Sequence, residues 1–351
     1  MRRPLSGWPA RLAPHLVFLI PELLIAAGPF VIETARDAAG RARFRMPDFF
    51  YGGQALIEGV MMRGRTSVAM SVRPPSGEIT TLTEPLPHAL TAGNRLLKIP
   101  LLRGVLVLYE TLVIGTRMLM RSAAIAAEGE DIQLGKGTIA ATMVFSLGFA
   151  VALFFLLPLF LSTFAEDATD SDLVANGVEG VIRLAIFVAY IGLIGLMSDI
   201  KRVFAYHGAE HKAIHALEAQ RPLTPEEVDR FSTSHTRCGT TFILIVVVLS
   251  IFFFSVIPRA NVPLPLLFAS RIVLIPVIAA VAYELIRFGA RHYGNRFVRT
   301  VYTPGLWLQA LTTRPPDHGM LEVSIASLNA CLAADRAGGV PAVAVAPSAG
   351  A

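Results

Sequence analysis

The feature that most limits what this chain can fold into is the run Thr138 to Phe164, which carries no charged side chain. A helix needs about 20 apolar residues to cross a bilayer, with about 17 to 25 tolerated. Three further runs approach that length. Val181 to Ser198 carries only Arg183 near its start, and Thr241 to Ile257 is uncharged. Leu264 to Leu285 holds Arg271 inside it and Glu284 at its end. In lipid the backbone must satisfy its own hydrogen bonds, so each run is expected to be a helix. Composition agrees: the 351 residues are 54% hydrophobic and 16% charged, where a soluble domain is about 25% charged. The expected fold is an all-α membrane bundle of four transmembrane helices with a small β-containing cytoplasmic N-terminal region.

The loops set an orientation. Ala165 to Gly180 has no Lys or Arg and holds Glu166, Asp167, Asp170, Asp172 and Glu179. Asp199 to Thr240 carries Lys201, Arg202, Lys212, Arg221, Arg230 and Arg237. The segments before the first run and after the fourth are also basic. Every second connection is thus basic, which places both termini and the 199–240 loop on the cytoplasmic side of the membrane. The net charge of +5 is spent on this asymmetry. No basic patch interleaved with aromatics points to nucleic acid. The expected partners are the lipid bilayer and a membrane-protein or peptide partner. The two cysteines, Cys238 and Cys331, form no CxxC motif and no disulfide framework.

Residues 1–45 open with Arg2 and Arg3 before an apolar stretch, but Pro21 and Glu22 split it and no cleavage site follows. Translation is expected to start at Met46. In region 46–94, the glycines from Gly52 to Gly64 suggest tight turns or close packing. Ser67 to Arg73 and Glu78 to Leu82 read as a hairpin about Pro74-Pro75-Ser76-Gly77. In 95–127, an apolar helix carries Arg103, Glu110 and Arg117 as one polar stripe. It reads as an interfacial helix or one lying against the bundle, with a fifth span or a re-entrant segment as alternatives. The membrane domain occupies 128–285. Cytoplasmic helices follow in 286–334, with Pro304-Gly305 opening a short one, and a disordered tail is expected over 335–351.

Four of the eight histidines, His207, His211, His215 and His235, fall within the 199–240 loop. In Tyr206-His207-Gly208-Ala209-Glu210-His211-Lys212, His207 and His211 are one helical turn apart and share a face, with Glu210 beside them. Two imidazoles so spaced can hold one divalent ion, zinc or similar, and the carboxylate can act as general base. The order H-x-x-E-H is the inverted zinc-protease pattern, a short motif that also arises by chance. His215 lies about 12 Å of helical rise beyond His207, so it cannot share an ion with His207 but could pair with His211. The third ligand is expected from His235 or Cys238, because both ends of the loop are pinned at one membrane face. Glu284, at the same depth, is expected to support the site. Three readings stay open: a metal-dependent, hydrolytic enzyme; a non-catalytic assembly or scaffold protein; and a thiol enzyme. In the last, Cys238 at a helix N-terminus beside Arg237 is the nucleophile and His235 its base.

At these residues the sequence resembles the YqhQ family of bacterial multi-pass membrane proteins. The resemblance rests on GGQALIEGVMMRG at 52–64, YHGAEHK at 206–212, RCGT at 237–240 and PGLWLQALTT at 304–313. It runs from about Met46 to Ala333. It implies a metal-dependent enzyme whose site positions are His207, Glu210, His211, His235 and Cys238. The sequence departs from the family pattern at Thr236, where that pattern has proline.

Overall fold

A computed structural model of the chain describes residues 33–36, 42–45, 51–87, 95–128, 136–169, 171–257 and 262–337. A two-stranded ribbon, β1 (Glu33–Arg36) and β2 (Ala42–Arg45), comes first. The rest of the 1–45 extension and the tail 338–351 lie outside the described residues, and with them the expectations placed there.

The glycine block is a hairpin, β3 (Gly52–Leu56) and β4 (Gly59–Arg63), continued by β5 (Ser67–Val72) and β6 (Thr80–Pro85) into a four-stranded antiparallel meander. The expected hairpin is thus β5–β6, its second strand displaced two to three residues downstream. Alternation decides what each face meets. Met61, Val68, Met70 and Val72 pack with Ile114, Met118 and Leu119. Val60, Met62 and Ala69 pack with Val203, Ala213, Leu321 and Leu328. Both faces are covered, so every residue of β5 is buried.

Helix α1 (Leu102–Ala126) covers the first face and lies along a membrane helix, in keeping with a helix held against the bundle. Its polar stripe is spent on separate ion pairs. Arg103 meets Glu284, Glu110 meets Arg63 of β4, and Arg117 meets Glu84 of β6. Glu284 is therefore committed to α1, where it also accepts the Leu101 N–H at 3.2 Å. This corrects the expectation that it supports the histidine cluster.

The next helix runs from α2 (Lys136–Val151) through a π turn at Ala152–Leu156 into α3 (Leu157–Thr169). Pro158 has no N–H to return to the Phe154 carbonyl. Arg183 supplies the missing donor through Nε at 2.9 Å. α4 (Asp172–Ile194) starts nine residues earlier than expected. Asp172 and Glu179, read as loop acids, are inside it, and Glu179 is 1% exposed. The helix can extend because Glu179 is paired with Arg183 and Arg271, so its charge is not left bare in an apolar environment.

α5 (Ser198–Glu218) follows, then α6 (Pro225–Val228), α7 (Gly239–Ser255), α8 (Leu264–Arg291), α9 (Arg296–Thr312) and α10 (His318–Arg336). Among the described residues, three helices are long and apolar enough to cross a membrane: Ala140–Ala165, Asp172–Ile194 and Pro265–Gly289. The chain is a membrane protein by this measure. α7, expected as a fourth span, is apolar but 17 residues long. α9 begins well before Pro304 and passes through it. The proline ring sits on the exposed side of the helix, away from the packed bundle. α10 packs on β4, β5 and α5. Asp335, placed in the tail from sequence, belongs to this helix and accepts the Arg65 and Thr66 N–H groups at 2.7 and 3.0 Å.

Candidate metal centre

α5 is the floor of the site. Its residues Tyr206 to Ile214 are all buried, because the sheet, α10 and the 312–314 segment close on it. Gly208 makes the last of these contacts possible: a Cβ there would lie 2.2 Å from the Arg314 carbonyl oxygen. His207 and His211 point one way from consecutive turns, with ring centroids 4.4 Å apart.

The other wall is the turn that leads into α7. Cys238 is the N-cap of that helix and accepts the Thr240 N–H through Sγ at 3.4 Å. One donor atom each from His207, His211 and Cys238 fall within 4.8 Å of one another. Cys238 Sγ is 3.3 Å from His207 Nε2. All three residues are buried. Of the two candidates for third partner, Cys238 is the one within this 4.8 Å group, while the His235 ring centroid stands 5.5 Å from that of His211.

The tautomers follow from the backbone. His207 Nδ1 is 2.9 Å from the Thr312 carbonyl and His211 Nδ1 is 2.6 Å from the Thr233 carbonyl. A carbonyl only accepts, so each Nδ1 carries a hydrogen, and in the neutral ring Nε2 is then the nitrogen with the lone pair. Carbonyl partners of this kind fix ring orientation in metal-binding histidines. Burial, reinforced by the neighbouring imidazoles, holds His211 well below the usual histidine range, so it is a neutral donor at pH 7.

Glu210 is 5% exposed, with Oε2 at 3.5 Å from His211 Nε2. Burial pushes its carboxyl up, while His207, Arg237 and a hydrogen bond from the Gly53 N–H pull the other way. Gly53 is the roof. A Cβ there would sit 2.4 Å from the Met61 carbonyl and 2.8 Å from Glu210 Cγ, so a side chain at that point of β3 is excluded.

His235 has other company. It stands with His215 and Glu218 in a second group whose donor atoms lie within 4.8 Å, and its ring centroid is 4.4 Å from that of His215. His215 thus pairs with His235 rather than His211. Arg237 already enters this group: it is ion-paired with Glu218, and its Nη2 lies 2.8 Å from His235 Nε2. Burial holds both His215 and His235 at about 3.

Two residues that sequence reasoning did not single out complete the frame. Gln309 of α9, fully buried, accepts the His235 N–H and donates to the His235 carbonyl, both at 2.8 Å. Thr312 supplies the carbonyl behind His207 and a hydroxyl 2.9 Å from that of Thr240. Both fall within the PGLWLQALTT block. A buried glutamine is costly unless its amide is paired, which was the available signal.

Comparison with other proteins places the chain. The family described as "Protein of unknown function (DUF1385)" matches residues 99–334. The protein named "Uncharacterized protein YqhQ" of Bacillus subtilis (strain 168) is 32% identical over 295 residues, which covers 80% of this chain and 92% of that protein. The chain belongs to the YqhQ family. No solved structure matches it. The family match takes in His207, Glu210, His211, His235, Cys238 and Gln309, and starts after the β3–β4 hairpin that roofs them.

Proposed function

We propose that this YqhQ-family chain is a metal-dependent, hydrolytic enzyme of the bacterial inner membrane, with its site at the cytoplasmic face. The observation that carries the reading is the convergence of His207, His211 and Cys238, with both imidazoles held by carbonyls so that their lone pairs face inward. Three protein ligands of the N, N, S type suit zinc and leave a fourth position for chemistry. A divalent ion held there supplies Lewis acidity. Glu210 takes the proton of the attacking water and returns it to the leaving group. His235 orders the turn that presents Cys238. Because all four residues are buried, substrate entry requires the β3–β4 hairpin or the 232–238 turn to move. The basic connections support four spans with both termini cytoplasmic, with α7 at the short end of the spanning range.

Elemental mass spectrometry of detergent-purified protein tests this, wild type beside His207→Ala/His211→Ala. Near one zinc per chain, lost in the double variant, is expected. No ion after metal supply under reducing conditions would refute the metal reading.

The 3.3 Å contact between Cys238 Sγ and His207 Nε2 favours a second reading, a thiol enzyme in which His207, oriented by the Thr312 carbonyl, takes the place expected of His235. In that case the wild type carries no ion. Its Cys238 reacts with a thiol reagent at neutral pH and ceases to do so in His207→Ala.

A further inference from the structure

α9 has three faces, of which the site explains one. Tyr302, Gly305, Leu308, Gln309 and Thr312 are buried against the bundle. A second sector carries Phe297, Val301 and Trp307, exposed at 76%, 58% and 72%. At 3.6 residues per turn these three, with Pro304 and the exposed Thr300 between them, span about 120° of arc, which meets the buried face at Leu308. Arg296 and Arg299 are exposed on the remaining sector. A helix with one face on protein, one apolar and bare, and one basic fits neither open water nor a bundle interior.

Its position in the chain says what covers it. α8 is long and apolar enough to cross a membrane as far as Gly289, and the helix ends at Arg291, four residues before α9 begins. α9 therefore starts where that helix leaves the hydrocarbon. From Arg287 to Arg314 the chain has five arginines, Arg287, Arg291, Arg296, Arg299 and Arg314, and no Asp or Glu falls between Glu284 and Asp317. A second copy of this chain on the same face would bring these arginines together without counter-charge. An anionic lipid leaflet supplies both the acyl chains and the counter-charge.

We propose that α9 lies in the membrane–water interface as an anionic-lipid-binding helix. Phe297, Val301 and Trp307 sit among the upper acyl segments, and Arg291, Arg296 and Arg299 meet lipid phosphates. The inference rests on membrane insertion and stands whether or not the histidine site holds a metal. It makes the lipid surface the outer side of a helix whose inner side holds His207 and His235.

The chain has two tryptophans, Trp8 and Trp307, so a Trp8→Phe variant reports on α9 alone. The full-length variant is placed in nanodiscs of mixed phosphatidylcholine and phosphatidylglycerol, with acyl-chain bromines carried by one lipid or the other. Bromine is expected to quench Trp307. Quenching from brominated phosphatidylglycerol is expected to exceed that from brominated phosphatidylcholine at equal mole fraction by about twofold or more. Arg296→Gln/Arg299→Gln should abolish that excess while keeping the quenching itself. Quenching by aqueous iodide without quenching by bromine would put the face in water. Protection from both quenchers would put a protein partner on it. Equal quenching from the two lipids would remove the anionic preference. Each of these three results overturns the proposal.

Discussion

Two buried polar clusters lie at opposite ends of α7 and are built on opposite rules. Near its C-terminus, Ser250 and Phe254 meet Arg183 and Arg271, whose guanidinium carbons stand 4.9 and 4.5 Å from the Phe254 ring centre. Arg271 reaches Glu179 at 2.8 Å and Asn176 at 3.1 Å. Arg183 reaches Glu179, Ser250 and the Phe154 carbonyl. Cation and anion there are both supplied by the chain. At the N-terminus of α7, His207, His211 and Cys238 converge their donor atoms, with neither a carboxylate nor a guanidinium among the three. The first cluster is closed by its own ion pairs, and the second groups two imidazoles with a thiol. Burial alone does not mark a site; the balance of donors and acceptors within the buried group does.

The largest expected effect tests the closed cluster. Glu179→Ala leaves two buried guanidiniums without a counter-ion and should cost about 3–5 kcal/mol, read as a large fall in the thermal midpoint of the detergent-solubilised protein. A midpoint near that of wild type would break the contrast. The open cluster should behave the other way. His207→Ala/His211→Ala should abolish ion binding, while its unfolding free energy matches that of wild type stripped by chelator to within about 2 kcal/mol. A double variant that unfolds would show those histidines to be as structural as Glu179. Gln309→Ala sharpens the comparison at the edge of the site. It frees the His235 backbone and should weaken ion affinity by roughly 10–100-fold, the usual cost of losing an outer partner, measured by chelator competition.

The smallest effect is a slope. Burial holds His215 at about 3 against an ordinary 6.5. Between those values the unfolded chain binds a proton that the folded chain refuses, so stability is full above the ordinary value and is lost as pH falls toward the lower one. Ion-free protein should be less stable at about pH 5 than at about pH 7, and His215→Gln should reduce that difference, leaving the part due to His211 and His235. The same slope in wild type and variant would assign the acid sensitivity to another group.

The same contrast explains what could be read from sequence. The apolar runs were legible because lipid admits few solutions. The beginning of α4 was not, because Glu179 is paired there with Arg271, 92 residues away, as well as with Arg183. The His207–Glu210–His211 face was legible from helical spacing. The choice between Cys238 and His235 was not, since both lie in one short turn and Arg237 draws His235 toward Glu218. The glycines of 52–64 suggested tight turns or close packing without saying against what; at Gly53 the close neighbours are the Met61 carbonyl and Glu210 Cγ.

The order in which the ribosome delivers these parts has a consequence of its own. Gly53 emerges first, then the α5 histidines, then Cys238, and the Gln309 and Thr312 that brace the two walls come last. A nascent chain halted before α9 has its candidate ligands but neither the carbonyl that orients His207 nor the amide that fixes the His235 turn. Assembly of the centre is therefore a late event in biogenesis, after α8 has been made, and a truncated chain cannot complete it early.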